Sequence, residues 1–433
     1  MTSIVPYVAA GLASPWLRQQ RQRLHRLGHA LRRQPATVEV YLAVDDPYSY
    51  LLAQALPRLQ ARFAVQWRVR TVLNREAQHY PEPEAWYANA CVDAQHLARL
   101  YGLQWPKDLP QWSSARLESY TRDLLLAEQQ PDAVARVADL YRRAWGGAGL
   151  TRAWQQQDWR AWLAANELRR ARLKHYASAM LYYAGEWYWG LDRLDHLERR
   201  LQSERRALTL DGVQFDRTWQ SFCQLPAPET APEATELEVF FSIRSPYSHL
   251  GLQRAMQLAE HYHLPLRLRP VLPMLMRGLP VPPTKKWYIF HDTKREADKL
   301  GIPYGKVADP LGAGVERCYQ LFAWAQAQGQ GLAYLHSVSL GVNSQGLDAA
   351  NDRHLRQMVE RAGLSWAHAQ SLLGQQDWRA WAQDNLDALR EAGLWGVPSF
   401  RYGDLCFWGQ DRLGLLEQAL RRRWHLTAPA DAP

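Results

Sequence analysis

Two stretches of the chain run apolar and then break into a turn. Val40–Leu51 reads VYLAVDDPYSYL and Val239–Leu250 reads VFFSIRSPYSHL, at an offset of 199. Each pattern predicts a buried strand that feeds a helix, with Pro47 or Pro246 in the first turn, where a fixed φ and a missing N–H cost little. In the second copy the strand is expected over Leu237–Ile243 and the helix runs to about Tyr262. A second strand, Leu264–Pro270, should lie parallel to the first because a helix separates them. Residues 312–389 are almost wholly helical in pattern. Ser399–Tyr402 and Leu405–Trp408 then read as a hairpin turning on Gly403-Asp404, followed by a helix from Asp411 to about Arg422.

A longer match confirms the periodicity. Gln156–Leu194 aligns without a gap to Gln375–Leu413 at an offset of 219, beginning QQDWRAW in both copies. The two copies span roughly 190 residues each, too long for solenoid units and suited to two homologous domains, with about 20 extra residues inside the second. The reading is a tandem duplication of an α/β domain in which strand–helix–strand and hairpin–helix flank a helical insertion, the thioredoxin-like order. The expected divisions are a basic amphipathic segment (1–36), a first domain (37–223), an exposed Pro-rich linker (224–236), a second domain (237–424) and a flexible tail (425–433).

Composition narrows this picture. The 433 residues are 47% hydrophobic and 22% charged, which excludes a disordered, collagenous or coiled-coil chain. No apolar run approaches the roughly 18–20 residues needed to span a bilayer. Cys91, Cys223, Cys318 and Cys406 lie far apart without metal-knuckle or C-x-x-C spacing, so buried, reduced thiols, no metal site and a cytoplasmic setting are expected. The net charge of +9 admits an anionic partner. Nucleic acid is not expected, since basic and acidic residues are mixed over most of the chain and no zinc-finger, RNP-type or Lys/Arg-block motif appears. The exception is the start, where Arg18, Arg21, Arg23, Arg26, Arg32 and Arg33 all precede the first acidic residue, Glu39. Leu17, Leu24, Leu27 and Leu31 share one helical face there. Docking of that face on the protein's own body is the default expectation, and weak contact with a membrane surface the alternative.

Candidate chemistry gathers in the second copy. Ser245 falls at the cap of a helix N-terminus, which favours an anion, although serine is also an ordinary cap. Gly396-Val397-Pro398-Ser399-Phe400 places a proline before an apolar strand, where it could be cis. The S-P-Y-S turn, the G-V-P-S-F strand entry and the F-W-G-Q-D-R-L segment, in this order, resemble 2-hydroxychromene-2-carboxylate isomerases and the similar kappa-class glutathione transferases of the DsbA-like thioredoxin superfamily. The resemblance covers about residues 236–423, with a degraded version over about 37–223. It implies two tandem DsbA-like domains, glutathione as cofactor and an aromatic or conjugated electrophile as substrate. It also implies Ser245 hydrogen-bonding the glutathione sulfur, Val397 before a cis Pro398 pairing with the cysteinyl backbone, and Gln410 with Asp411 at the γ-glutamyl end. By the same resemblance Lys285 faces a carboxylate or anionic substrate. Arg244, Tyr247, Trp287, Trp395 and Trp408 are expected to border the pocket. A kappa-type transferase and a non-catalytic binding or scaffold protein are the alternatives. In the first copy Asp46 replaces Ser245, Ala179 replaces Pro398 and Glu84 replaces Lys285, so that copy is expected to keep the fold without glutathione chemistry. The assembly expected is a monomer with an internal pseudo-dimer, or a homodimer.

Overall fold

The computed structural model describes residues 4–31, 35–73, 75–149, 159–216, 222–375 and 377–426. Arg32, Arg33, the Gln156–Asp158 start of the longer repeat and the tail from 427 lie outside them. The chain divides into two compact units, Gln19–Arg217 and Thr218–Pro433, the second also holding Met1–Arg18. The basic start is thus shared between units rather than forming one segment.

It opens with α1 (Val5–Leu12) and α2 (Pro15–Leu31). The first unit then runs β1 (Thr37–Leu42), α3 (Pro47–Arg62), β2 (Gln66–Thr71), α4 (Pro83–Tyr101), α5 (Ser114–Ala127), α6 (Ala133–Trp145), α7 (Trp159–Arg172), β3 (Met180–Tyr183), β4 (Glu186–Trp189) and α8 (Leu194–Ser203). The second runs β5 (Leu237–Phe241), α9 (Pro246–Tyr262), β6 (Leu266–Pro270), α10 (Pro283–Leu300), α11 (Ala313–Ala327), α12 (Gly331–Leu340), α13 (Asp352–Arg361), α14 (Trp366–Leu372), α15 (Arg379–Glu391), β7 (Ser399–Tyr402), β8 (Leu405–Trp408) and α16 (Leu413–Arg423).

Each unit holds one four-stranded sheet, ordered β2-β1-β3-β4 and β6-β5-β7-β8. The strand before the first long helix pairs in parallel with the strand after it and antiparallel with the first arm of the hairpin. The hairpins coincide residue for residue at the offset of 219. Central β5 is buried along its whole length. Phe240 and Val271 pack with Leu386, Leu389 and Leu394 in a core beside α15.

A polar triad recurs at matched positions. Arg70 donates to Glu39 at 2.5 Å and to Asn166 at 3.1 Å, and Asn166 donates to the Thr71 carbonyl. In the second unit Arg269 donates to Glu238 at 2.6 Å and to Asn385 at 3.3 Å, and Asn385 to the Pro270 carbonyl. Burial alone would raise the Glu39 carboxyl, but Arg169 and Arg70 outweigh it and hold it at about 2.

Several expectations change. Most of the apolar face of α2 does not dock: Leu24, Leu27 and Leu31 are 67%, 60% and 85% exposed, while Leu17 is half-buried. By contrast α1, which the pattern did not single out, seats on the second unit, with Lys306 Nζ 4.1 Å from the Tyr7 ring and Ala13 against Gly305. The Pro-rich 224–236 stretch is tied down, since the His261 ring meets the Leu225 carbonyl and Arg421 donates to the Pro226 carbonyl. Cys91 and Cys318 are buried, while Cys223 and Cys406 are only half-buried.

Candidate active site

The candidate site of the second unit is built where β5 gives way to α9. Ser245 is the N-cap, its Oγ accepting the Ser248 N–H at 3.2 Å. Its oxygen is thus used as an acceptor, and the hydroxyl hydrogen stays available as a donor. Pro246 brings no N–H, and the dipole of a 17-residue helix points its positive end here. Ser248, fully buried, accepts the Ser242 N–H and locks the turn from beneath.

The opposing wall is the entry to β7, where the Val397–Pro398 bond is cis. It leans on α9 through a missing side chain: a Cβ on Gly251 would lie 2.8 Å from Pro398 Cγ and 3.1 Å from Phe400 Cζ. Only glycine admits this approach. The Pro398 carbonyl accepts the Gly409 N–H at 2.9 Å, while the N–H and C=O of Val397 have no partner among the described residues. A buried or half-buried peptide group without a partner is uncommon, and its two groups match those of another extended backbone.

Beyond Gly409, Gln410 and Asp411 form a 3-10 turn. Asp411 is not the N-cap of the last helix, a position Arg412 takes. Gln410 donates to Asp411 at 2.6 Å and to Glu296 at 3.2 Å and accepts from Arg254 at 2.9 Å. Arg254, fixed over the Phe222 ring, is a buried anchor of this loop that motif reading missed. A signal for it existed, because the matched position in the first copy is apolar Ala55.

Lys285, in the first turn of α10, stands 5.9 Å from the Trp395 ring, and burial pushes its amine down to about 8. Trp395 and Trp408 meet nearly at right angles, 6.2 Å apart, and the Trp408 indole fills the space beside Gly396. The structure therefore draws Lys285, Trp395, Trp408, Val397 and Pro398 into one chain of contacts. Trp287 is 47% exposed and packs edge-on against His291. Tyr247 commits its hydroxyl to Asp292 at 2.7 Å, and Arg244 is held by Asp309 through two hydrogen bonds of 2.7 Å each.

In the first unit the same place is filled. Asp46, 2% exposed, accepts from the Tyr48 N–H at 3.1 Å, from Ser49 Oγ at 2.7 Å and from Ser178 Oγ at 2.7 Å. Ser178 is the counterpart of Val397, so the two walls touch. A thiolate here would meet a carboxylate, which repels it.

The C-terminal half is a DsbA-like thioredoxin domain: the family profile described as "DSBA-like thioredoxin domain" matches residues 236–421. It is homologous to 2-hydroxychromene-2-carboxylate isomerase of Pseudomonas putida, with 26% identity over 197 residues, covering 43% of this chain and 94% of that protein. Among solved structures, a 2-hydroxychromene-2-carboxylate isomerase matches at 26% identity and TM-score 0.39, over 44% of this chain and 99% of that one. Cytosolic disulfide reductase DsbM from Pseudomonas aeruginosa with GSH matches at 18% identity and TM-score 0.32, over 43% and 99%.

Proposed function

We propose that the second unit is a glutathione-dependent isomerase of the 2-hydroxychromene-2-carboxylate type, acting on an aromatic or otherwise conjugated substrate. The observation that carries this reading is the unpartnered backbone of Val397, set before a cis proline and opposite a serine-capped helix end. Glutathione, when bound, supplies the thiol nucleophile. Ser245 donates its hydroxyl hydrogen to the sulfur, and the α9 N-terminus favours the thiolate over the thiol. Val397 pairs its N–H and C=O with the peptide, which fixes the sulfur's position along the helix axis. Asp411 holds the free ammonium, a carboxylate being its natural partner. Protonated Lys285 holds an anionic group, and the Trp395–Trp408 corner receives the apolar body of the substrate.

A kappa-type transferase would use the same residues and differ only in whether glutathione leaves the product. The isomerase reading is preferred because the curated relative is an isomerase over 94% of its length. The chain is further read as a tandem duplication whose first unit kept the fold and lost the chemistry, supported by the matched sheets and the recurring triad. A reducing, cytoplasmic setting suits four unpaired cysteines whose thiols burial raises, Cys91 to about 11.

The test is calorimetric titration of reduced glutathione into the wild-type chain, Ser245→Ala and Asp411→Ala. Saturable binding that weakens in both variants is expected. No binding at millimolar glutathione overturns the enzymatic reading and leaves a binding module on the same fold.

A further inference from the structure

Helix α2 carries its amphipathic pattern the wrong way round for a helix that packs on its own protein. It touches its unit through polar residues: Gln22 donates to Glu186 at 3.2 Å, and the His25 ring lies against Gly185. Trp16, Leu24, Leu27 and Leu31 are 67%, 67%, 60% and 85% exposed. At 3.6 residues per turn these four fall within an arc of about 80°. Exposed Arg23 borders that stripe on one side and exposed Arg21 on the other, and neither Arg23 nor Arg26 has an acidic partner among the described residues. On α1 and its cap, Ile4, Val5, Tyr7 and Val8 are also more than half exposed. Together these residues supply more than half of the exposed large apolar side chains of the described chain, gathered in its first 31 positions.

We propose that α2 is a surface anchor that lies in the headgroup layer of an anionic lipid bilayer. So continuous an apolar stripe is costly to leave in water, since covering apolar surface is favourable in proportion to its area. Charge then selects the covering. The first 38 residues hold six arginines and no acidic residue. A second copy of the same helix, laid seam to seam, would bring the arginines of both copies together with no carboxylate between them. An anionic bilayer offers hydrocarbon to the stripe and phosphate to the arginines at its borders, the arrangement of interfacial helices. Among the described residues no helix is long and apolar enough to cross a membrane, so the segment lies on the surface.

Sedimentation of the full chain with vesicles of phosphatidylcholine, and of phosphatidylcholine with phosphatidylglycerol, tests this. Binding is expected only with phosphatidylglycerol and should weaken as salt rises. Leu24→Gln together with Leu27→Gln should abolish it, and a thermal melt unchanged from wild type shows that these exposed changes spare the fold. Arg21→Gln, Arg23→Gln and Arg26→Gln should each lower partitioning about fivefold. Absence of binding to the anionic vesicles, binding that survives the paired leucine change, or a dimer in sedimentation velocity that this change dissolves would each overturn the proposal.

Discussion

Lys285 is the site group whose charge solution pH can remove near neutrality. Burial beside Trp395 brings its amine to about 8, so it is protonated below that pH and neutral above. Binding of an anionic ligand through Lys285 should therefore fall as pH rises through about 8. S-methylglutathione is the right probe, because it has no thiol of its own to titrate. Its affinity should decline across this window in the wild type and stay level in Lys285→Met; an equal decline in the variant refutes the role. Glu39 gives the opposite sign. Its folded value of about 2 lies below the usual 4.5, so its contribution is complete above about 4.5 and is lost as pH falls towards 2. Glu39→Gln should cost about 2 kcal/mol at neutral pH in urea unfolding and flatten the acid limb. A variant as stable as wild type at pH 7 would show that Arg70 and Arg169 gain nothing from the carboxylate.

The seat of the cis proline belongs to an element, the second turn of α9. Gly251→Ala places a methyl 2.8 Å from a ring that cannot bend away, so the β7 entry must shift. Overpacking of this kind costs about 1–3 kcal/mol. Glutathione affinity should drop with it, because Val397 moves; unchanged affinity in titration would show that the β7 entry does not set the ligand backbone. Leu52→Ala, at the matched and fully buried position of the first unit, should cost about 2–5 kcal/mol in stability yet leave that affinity intact. Elements of this kind were largely legible in sequence. Both arms of the second hairpin and the span of α9 match the pattern to within a residue, since alternation, Gly403 and Pro246 punctuate them clearly. Helix α2 was legible as a helix, but a periodic apolar face says nothing about what covers it. The spacing starts the last helix at Asp411, because the 3-10 turn over Gln410–Arg412 that precedes α16 leaves no mark in hydrophobic periodicity.

Across the whole molecule, two sheets share one order, while Asp46 fills the helix start after β1 and Ser245 caps the one after β5. Titration should find one glutathione per chain, and Asp46→Ala should leave that stoichiometry unchanged; two equivalents would show that the first unit also binds. The shared architecture was readable because DPYSYL and SPYSHL stand at one offset and the hairpins at another. The recurring Glu–Arg–Asn triad was not, since its members lie on β1, β2 and α7, or on β5, β6 and α15, and only the fold brings them together. The Gly251–Pro398 contact has a consequence for engineering. The first unit holds Leu52 and Ala179 at the matched places, a large residue for a small one and a small one for a ring. A proline placed at 179 would face a leucine where the second unit tolerates only hydrogen, and a glycine at 52 alone would leave a hole. Neither single substitution is favourable, so the second unit's arrangement can be transplanted into the first only by changing both positions together.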